Sequence, residues 1–165
     1  MGTRIRRVEP SDLQTLTRIY NHYIAETPIT FDVEPYTEEK RRPWIEQFAH
    51  DGPRQCFVAE IDGTACGWAS TGPFRPKAAY DQSVEVSVYL APEITRRGLG
   101  TALYEALFDG LSGAVLHRAL AGITLPNPTS VALHARFGFT SVGTFREVGF
   151  KFGRYWDVEW FEKAL

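Results

Sequence analysis

Residues 83 to 108, SVEVSVYLAPEITRRGLGTALYEALF, set an alternating strand, a proline, two arginines, two glycines and a helix in immediate succession. Glycines ahead of a helix leave free backbone N–H groups at the positive end of the helix dipole, which suits an anion. Arg96 and Arg97 bring two cations to the same place. The chemistry this spacing suits is the holding of a phosphate or pyrophosphate. A P-loop would need Gly-Lys-Ser/Thr, which is not present. The dinucleotide fingerprint G-x-G-x-x-G is met at Gly98 and Gly100 but not at its third glycine, where Leu103 stands. A lone G-x-G serves equally as a tight turn. The order of strand, Pro92, arginines, glycines and amphipathic helix is what favours a ligand.

Those residues need elements to position them. Val84, Val86, Val88 and Leu90 alternate with Glu85, Ser87 and Tyr89, which predicts a strand with two different faces. After the glycines, Leu99, Leu103, Ala106, Leu107 and Leu111 follow a helical period. Upstream, RIRRV reads as a short strand. SDLQTLTRIYNHYIAE reads as a helix with Ser11 or Asp12 at its N-cap, and TEEKRRPWIEQFAH as a second helix with acidic residues in its first turn. QCFVAEID and TACGWASTGPF form a hairpin over Asp62-Gly63. Downstream, AVLHRALAGIT predicts a strand and NPTSVALHARFGF a short helix between Pro128 and Gly138. Two β segments, TSVGTFREVGF and RYWDVEWFEKAL, end the chain. The order β-α-α-β-β-β-α-β-α-β-β predicts an α/β (α+β) fold with a mixed sheet.

Composition limits the function classes. At 165 residues the chain fits a single domain, 1–165, able to bury its own core. A net charge of −2 gives no polyanion signal, so nucleic acid is not expected as a partner. No apolar run reaches the roughly 20 residues of a membrane span. The opening MGTRIRRVEP lacks the apolar core of a signal peptide, and Arg6 stands where a myristoylation motif wants Ser or Thr. Cys56 and Cys66 lie in strand-like segments with no C-x-x-C pairing, so they read as core thiols of a cytoplasmic protein. His22, His50 and His117 show no metal spacing, and no metal is expected. No Ser/His/Asp or Cys/His arrangement argues for a covalent nucleophile.

TRRGLGTALY, following VEVSVYLAPE, resembles the coenzyme A pyrophosphate loop of the GNAT superfamily of N-acetyltransferases. NPTSVALHARFGF is similar to that superfamily's last conserved motif, and the element order matches its fold. IYNHYI with TFD, GPFRPKAAYD, the VEVSVYLAP strand and GFKFGRYWDVEWF together resemble the phosphinothricin and methionine sulfone (sulfoximine) N-acetyltransferases. The sequence departs from the usual loop at Thr95, where Gln or Arg is customary. The resemblance implies a central mixed, mostly antiparallel sheet flanked by helices. It implies acetyl-CoA as co-substrate, a small amino acid-like acceptor, and a homodimer.

It also implies roles. Arg96, Arg97, Gly98, Leu99, Gly100 and Thr101 would hold the pyrophosphate. Val88, Tyr89 and Leu90 would offer backbone groups to the pantetheine amides, as a sheet edge does to an added strand. Asn127 would bind the pantetheine arm, or else only cap its helix, and Arg136 would touch the cofactor further out.

Acetyl transfer needs a neutral amine, so a proton acceptor helps at neutral pH. Glu85, just upstream of the cofactor segment, is the candidate, directly or through water; the alternative is a cross-strand or surface ion pair. Many GNAT enzymes carry a tyrosine seven residues after the conserved Asn; here that place holds His134, as the narrower subfamily's resemblance implies. His134 is a candidate general acid or proton relay, with Tyr104 a second donor; both also suit simple packing. Arg75, Pro76 and Lys77 would meet the acceptor's carboxylate or phosphinate, with Glu85, Val86, Ser87, Phe31 and Tyr80 around it. Two other functions keep the same loop: acetylation of another amine, such as a polyamine or a protein N-terminus, and non-catalytic acyl-CoA binding.

Overall fold

A computed structural model describes residues 2–94 and 98–165; Thr95, Arg96 and Arg97, and so two of the expected pyrophosphate ligands, lie outside the described residues. Strand β1 (Thr3–Arg7) leads through a short 3-10 turn into α1 (Leu13–Glu26) and α2 (Glu38–Glu46). Strands β2 (Cys56–Ile61), β3 (Thr64–Pro73) and β4 (Ser83–Leu90) follow, then α3 (Leu99–Leu111), β5 (Arg118–Thr124), α4 (Pro128–Arg136), β6 (Thr140–Lys151) and β7 (Arg154–Ala164). The element order is the one the sequence predicts. One sheet holds all seven strands in the order β1-β2-β3-β4-β5-β7-β6, and every pairing is antiparallel except β4 with β5.

Two cores sandwich the sheet. Val84 and Val86 pack with Leu99, Leu103 and Leu107 of α3 on one face. On the other, Val58 and Trp68 pack with Leu16 and Ile19 of α1. Leu16, Leu103 and Leu107 are wholly buried, contributing roughly 1.5–3 kcal/mol each. Cys56 and Cys66 are core residues, as expected. The β2–β3 turn places Asp62 and Gly63 at φ 48° and 82°, the left-handed pair that a two-residue hairpin requires. No helix among the described residues is long and apolar enough to cross a membrane.

The start of α1 corrects an expectation. Asp12 occupies the N-cap position but makes no side-chain cap to α1. Its carboxylate instead accepts from the Glu9 N–H at 2.8 Å and from both terminal nitrogens of Arg6 at 2.8 Å. The half-buried Arg6 cation, which also binds Glu60, claims the carboxylate more strongly than a helix end would.

Candidate active site

The site exists because two parallel strands part. β4 and β5 pair only over Ser83↔Arg118, Val84↔Ala119 and Glu85↔Leu120. Beyond Glu85, β4 stays with β3 as far as Leu90, while β5 stays with β7 as far as Thr124. The wedge between them is a cavity of about 320 Å³. Val86 to Tyr89 form one wall, Ala121 to Thr124 the other, and Phe31, Tyr104 and His134 also line it. Val84 and Val86 face α3, whereas Tyr89 packs with α1, so the wedge opens through the sheet.

Glu85 sits where the strands begin to part, half-buried. Burial pushes its carboxyl above the usual carboxylate range, and the nearby Arg75 cation partly opposes the shift. No ion pair to Glu85 occurs among the described residues, so the surface-pair alternative finds no partner there. A carboxylate so placed is a competent proton acceptor facing the cavity.

Tyr104 and His134 form a second titratable unit. His134 is buried, with Nδ1 2.8 Å from the Ser130 carbonyl and Nε2 2.8 Å from the Tyr104 hydroxyl. A carbonyl can only accept, so Nδ1 carries the hydrogen. In the neutral ring Nε2 then accepts from Tyr104. Burial lowers the His134 pKa, with the Ser130 carbonyl acting the other way, and keeps the ring neutral. Both ring nitrogens are thereby engaged. Tyr104, fully buried, has its pKa pushed up by desolvation and keeps its proton. Of the two groups, the phenol is the donor in this contact and the imidazole the acceptor.

A second cavity of about 420 Å³ continues from the first along Val88, Tyr89 and Leu90 to Gly98, Gly100 and Thr101. Gly98 caps α3 at φ 67°, a left-handed conformation that favours glycine. Its carbonyl accepts from the Ala102 N–H at 3.0 Å, and the N–H groups of Leu99, Gly100 and Thr101 find no acceptor among the described residues. Asn127 caps α4, its Oδ1 accepting from the Ser130 N–H at 3.1 Å, and also lines both cavities. Capping and ligand contact are compatible here, because the cap leaves the amide nitrogen uncommitted. At the far wall, the Tyr23 hydroxyl donates to the Leu90 carbonyl at 2.6 Å, which takes up one of the expected pantetheine acceptors.

Other expected residues sit elsewhere. Arg136 is exposed at the end of α4 and lines neither cavity. Tyr80 packs edge-on against Phe74, and Arg75 lies over the same ring at 4.7 Å from its centroid. Pro76 and Lys77 are exposed and, like Tyr80, lie outside the cavity walls. Arg75 reaches the site through its charge on Glu85 rather than as a lining residue.

The sequence reading placed Phe31 at the acceptor, and the structure puts it in the cavity wall; what the reading missed is the rest of its loop and the residue that anchors it. Ile29, Thr30 and Phe31 line the main cavity, and Lys151 of β6 holds them: its buried ammonium donates to the carbonyls of Thr27 and Thr30, both at 2.8 Å. The Phe31 ring lies against Gly149, where a Cβ would collide with it.

The chain matches the acetyltransferase (GNAT) domain family over residues 5–160. It is 53% identical to a phosphinothricin N-acetyltransferase of Streptomyces coelicolor, over 99% of each chain. It is 32% identical to an L-methionine sulfoximine/L-methionine sulfone acetyltransferase of Pseudomonas aeruginosa, over all of this chain and 96% of that one. The crystal structure of a phosphinothricin acetyltransferase from Sinorhizobium meliloti in complex with AcCoA superposes with a TM-score of 0.93 at 29% identity, over 100% of this chain and 89% of the other. The parted strands, the glycine-capped helix and these likenesses agree: the chain belongs to the GNAT superfamily of N-acetyltransferases, close to the phosphinothricin and methionine sulfone acetyltransferases.

Proposed function

We propose that the protein transfers the acetyl group of acetyl-CoA to the α-amine of a small amino acid analogue of the phosphinothricin or methionine sulfone kind. The observation that carries this reading is Glu85, half-buried with a raised pKa, at the apex of a wedge also lined by Tyr104. The activities named for the relatives supply the substrate class.

Acetyl-CoA, when bound, supplies an activated acetyl group as a thioester. The N–H groups that open α3, at Leu99, Gly100 and Thr101, and the side chain of Asn127 suit its pyrophosphate and pantetheine arm. Glu85 takes the proton that the attacking amine must lose, directly or through water. Backbone N–H groups between Val88 and Leu90 stabilise the charge growing on the carbonyl oxygen. Tyr104, whose hydroxyl hydrogen rests on Nε2 of His134, turns that hydroxyl to the departing sulfur and gives it the proton. The C–N bond forms, the C–S bond breaks, and solvent exchange resets Glu85 and Tyr104. Arg75 and Lys77 draw in the carboxylate of the acceptor.

The same reading takes the molecule as a homodimer. β6 is an edge strand, and Phe145, Val148, Phe150, Phe152 and Tyr155 on its hairpin are each more than half exposed. So much apolar surface beside an unpaired strand edge suits a second copy.

The test is thiol release from acetyl-CoA by the purified protein with L-methionine sulfone, L-phosphinothricin, spermidine or no acceptor. Turnover with either amino acid analogue but not spermidine supports the reading. Turnover with spermidine alone would replace the acceptor class. Coenzyme A binding without turnover of any acceptor would favour a regulator.

A further inference from the structure

Beside the wedge, and sharing Tyr20, Ser87 and Tyr89 with it, lies another cavity of about 210 Å³ beneath α1 and α2. Its wall holds a charge without a counter-ion. Arg41 is 4% exposed, its Nε has no hydrogen-bond partner, and no ion pair to it occurs among the described residues. The guanidinium lies against the rings of Tyr20 and Trp44, 4.0 and 4.1 Å from their centroids. Aromatic faces offset part of the cost of burying the charge, but they leave the in-plane Nε–H unsatisfied. Burial lowers the Arg41 pKa to about 10, which leaves it protonated at neutral pH.

Two further donors face the same space. Ser70 and Ser87 are cross-strand partners on β3 and β4, both line the cavity, and neither side chain is hydrogen-bonded within the described residues. Ser70 is 6% exposed. Lys40 adds a second cation at the rim. Asp32, the acid lining this cavity among the described residues, is engaged by the Tyr20 hydroxyl at 2.6 Å. The balance is a cavity rich in unsatisfied donors and net positive. It suits a group that only accepts hydrogen bonds, with oxygens on a tetrahedral centre.

We propose that this cavity receives the head of the acceptor, an oxidised phosphorus or sulfur group whose oxygens accept from Arg41 and Ser70. The amine then stays beside Glu85 in the adjoining wedge, and the carboxylate is left to the Arg75 loop. This assignment rests on the acceptor class proposed above, so its test begins with a measurement that needs no turnover.

Trp44 and Trp68 line the cavity, so dimethylphosphinate, the head group alone, is titrated against tryptophan fluorescence. The expected result is a saturable change in the wild type, weakened at least about threefold in Ser70→Ala. Absence of a saturable change, or the same curve in the variant, overturns the subsite whatever the enzyme acetylates. The second measurement is the ratio of kcat/KM for L-methionine sulfone over L-methionine, which differ in the two head oxygens alone. The ratio is expected to be large in the wild type, and to fall about tenfold in Ser70→Ala and further in Arg41→Met. A ratio near one in the wild type, or an equal loss on both acceptors in the variants, makes Arg41 a packing residue and overturns the proposal. Failure of every amino acid acceptor sinks the function proposed above, and the titration then decides the subsite by itself.

Discussion

The Tyr104 hydroxyl of α3 donates to Nε2 of His134 in α4 across 2.8 Å, and the Ser130 carbonyl holds the opposite ring nitrogen at 2.8 Å. The arrangement fixes a neutral imidazole and aims one phenol at the cavity. It is the support for the proposal that Tyr104 gives the proton and His134 orients it.

Tyr104→Phe is therefore expected to lower kcat by roughly 10²-fold, the scale of a lost general acid. The buried imidazole also loses its donor, for about 1–2 kcal/mol of folding stability. Steady-state kinetics and urea unfolding read the two effects separately. An unchanged kcat would remove the phenol from the chemistry.

Glu85→Gln keeps the shape and removes the base. Turnover should fall roughly 10²-fold while the Kd for acetyl-CoA stays within about twofold. Because burial raises the Glu85 pKa and Arg75 opposes that rise, Arg75→Gln should move the acidic limb of the kcat profile to higher pH. A limb that stays in place would detach Arg75 from Glu85.

His134 also couples protonation to folding. Its folded pKa lies below the 6.5 of a free imidazole, so the unfolded chain binds more protons between the two values. Stability should rise with pH across that window, be complete above about 6.5, and be lost as pH falls through the folded pKa. Urea midpoints at about pH 5 and pH 7 should differ less in His134→Gln than in the wild type.

Gly98→Ala tests the helix cap. A left-handed residue with a Cβ costs roughly 1–2 kcal/mol, and the Cβ itself meets nothing within 4 Å. A lower melting temperature with weaker acetyl-CoA binding is expected. If acetyl-CoA affinity stayed at the wild-type value, the α3 N-terminus would not be part of its site.

The homodimer reading predicts a sedimenting species of twice the chain mass. Phe150→Asp, on the exposed side of β6, should shift it to the monomer without a loss of secondary structure. A wild-type monomer at micromolar concentration would end that reading.

Much of the scaffold could be read from the sequence because its signals are local. Strict alternation marked β4, Asp62-Gly63 marked the hairpin, and Pro128 and Gly138 bracketed α4. The parting of β4 from β5 could not be read, because it depends on which strands pair across dozens of residues. Arg41 was hidden for a different reason. It sits in the run EEKRRPW, which reads as a solvated helix face, and only the fold turns that one arginine inward against Tyr20 and Trp44. Tyr20 and Tyr23 were legible as a helix stripe, but their hydroxyls, bound to Asp32 and Leu90, reach sites no periodicity reports. Asn127 does cap its helix, and its place in the walls of both cavities leaves the cofactor reading open to it.

Lys151 ties the end of the chain to its beginning through the carbonyls of Thr27 and Thr30. Ile29, in the loop so held, lines both the wedge and the cavity that continues from it along Val88 to Thr101. The loop that walls one side of the wedge is thus held by the last strands of the chain, and trimming the final hairpin should release that wall.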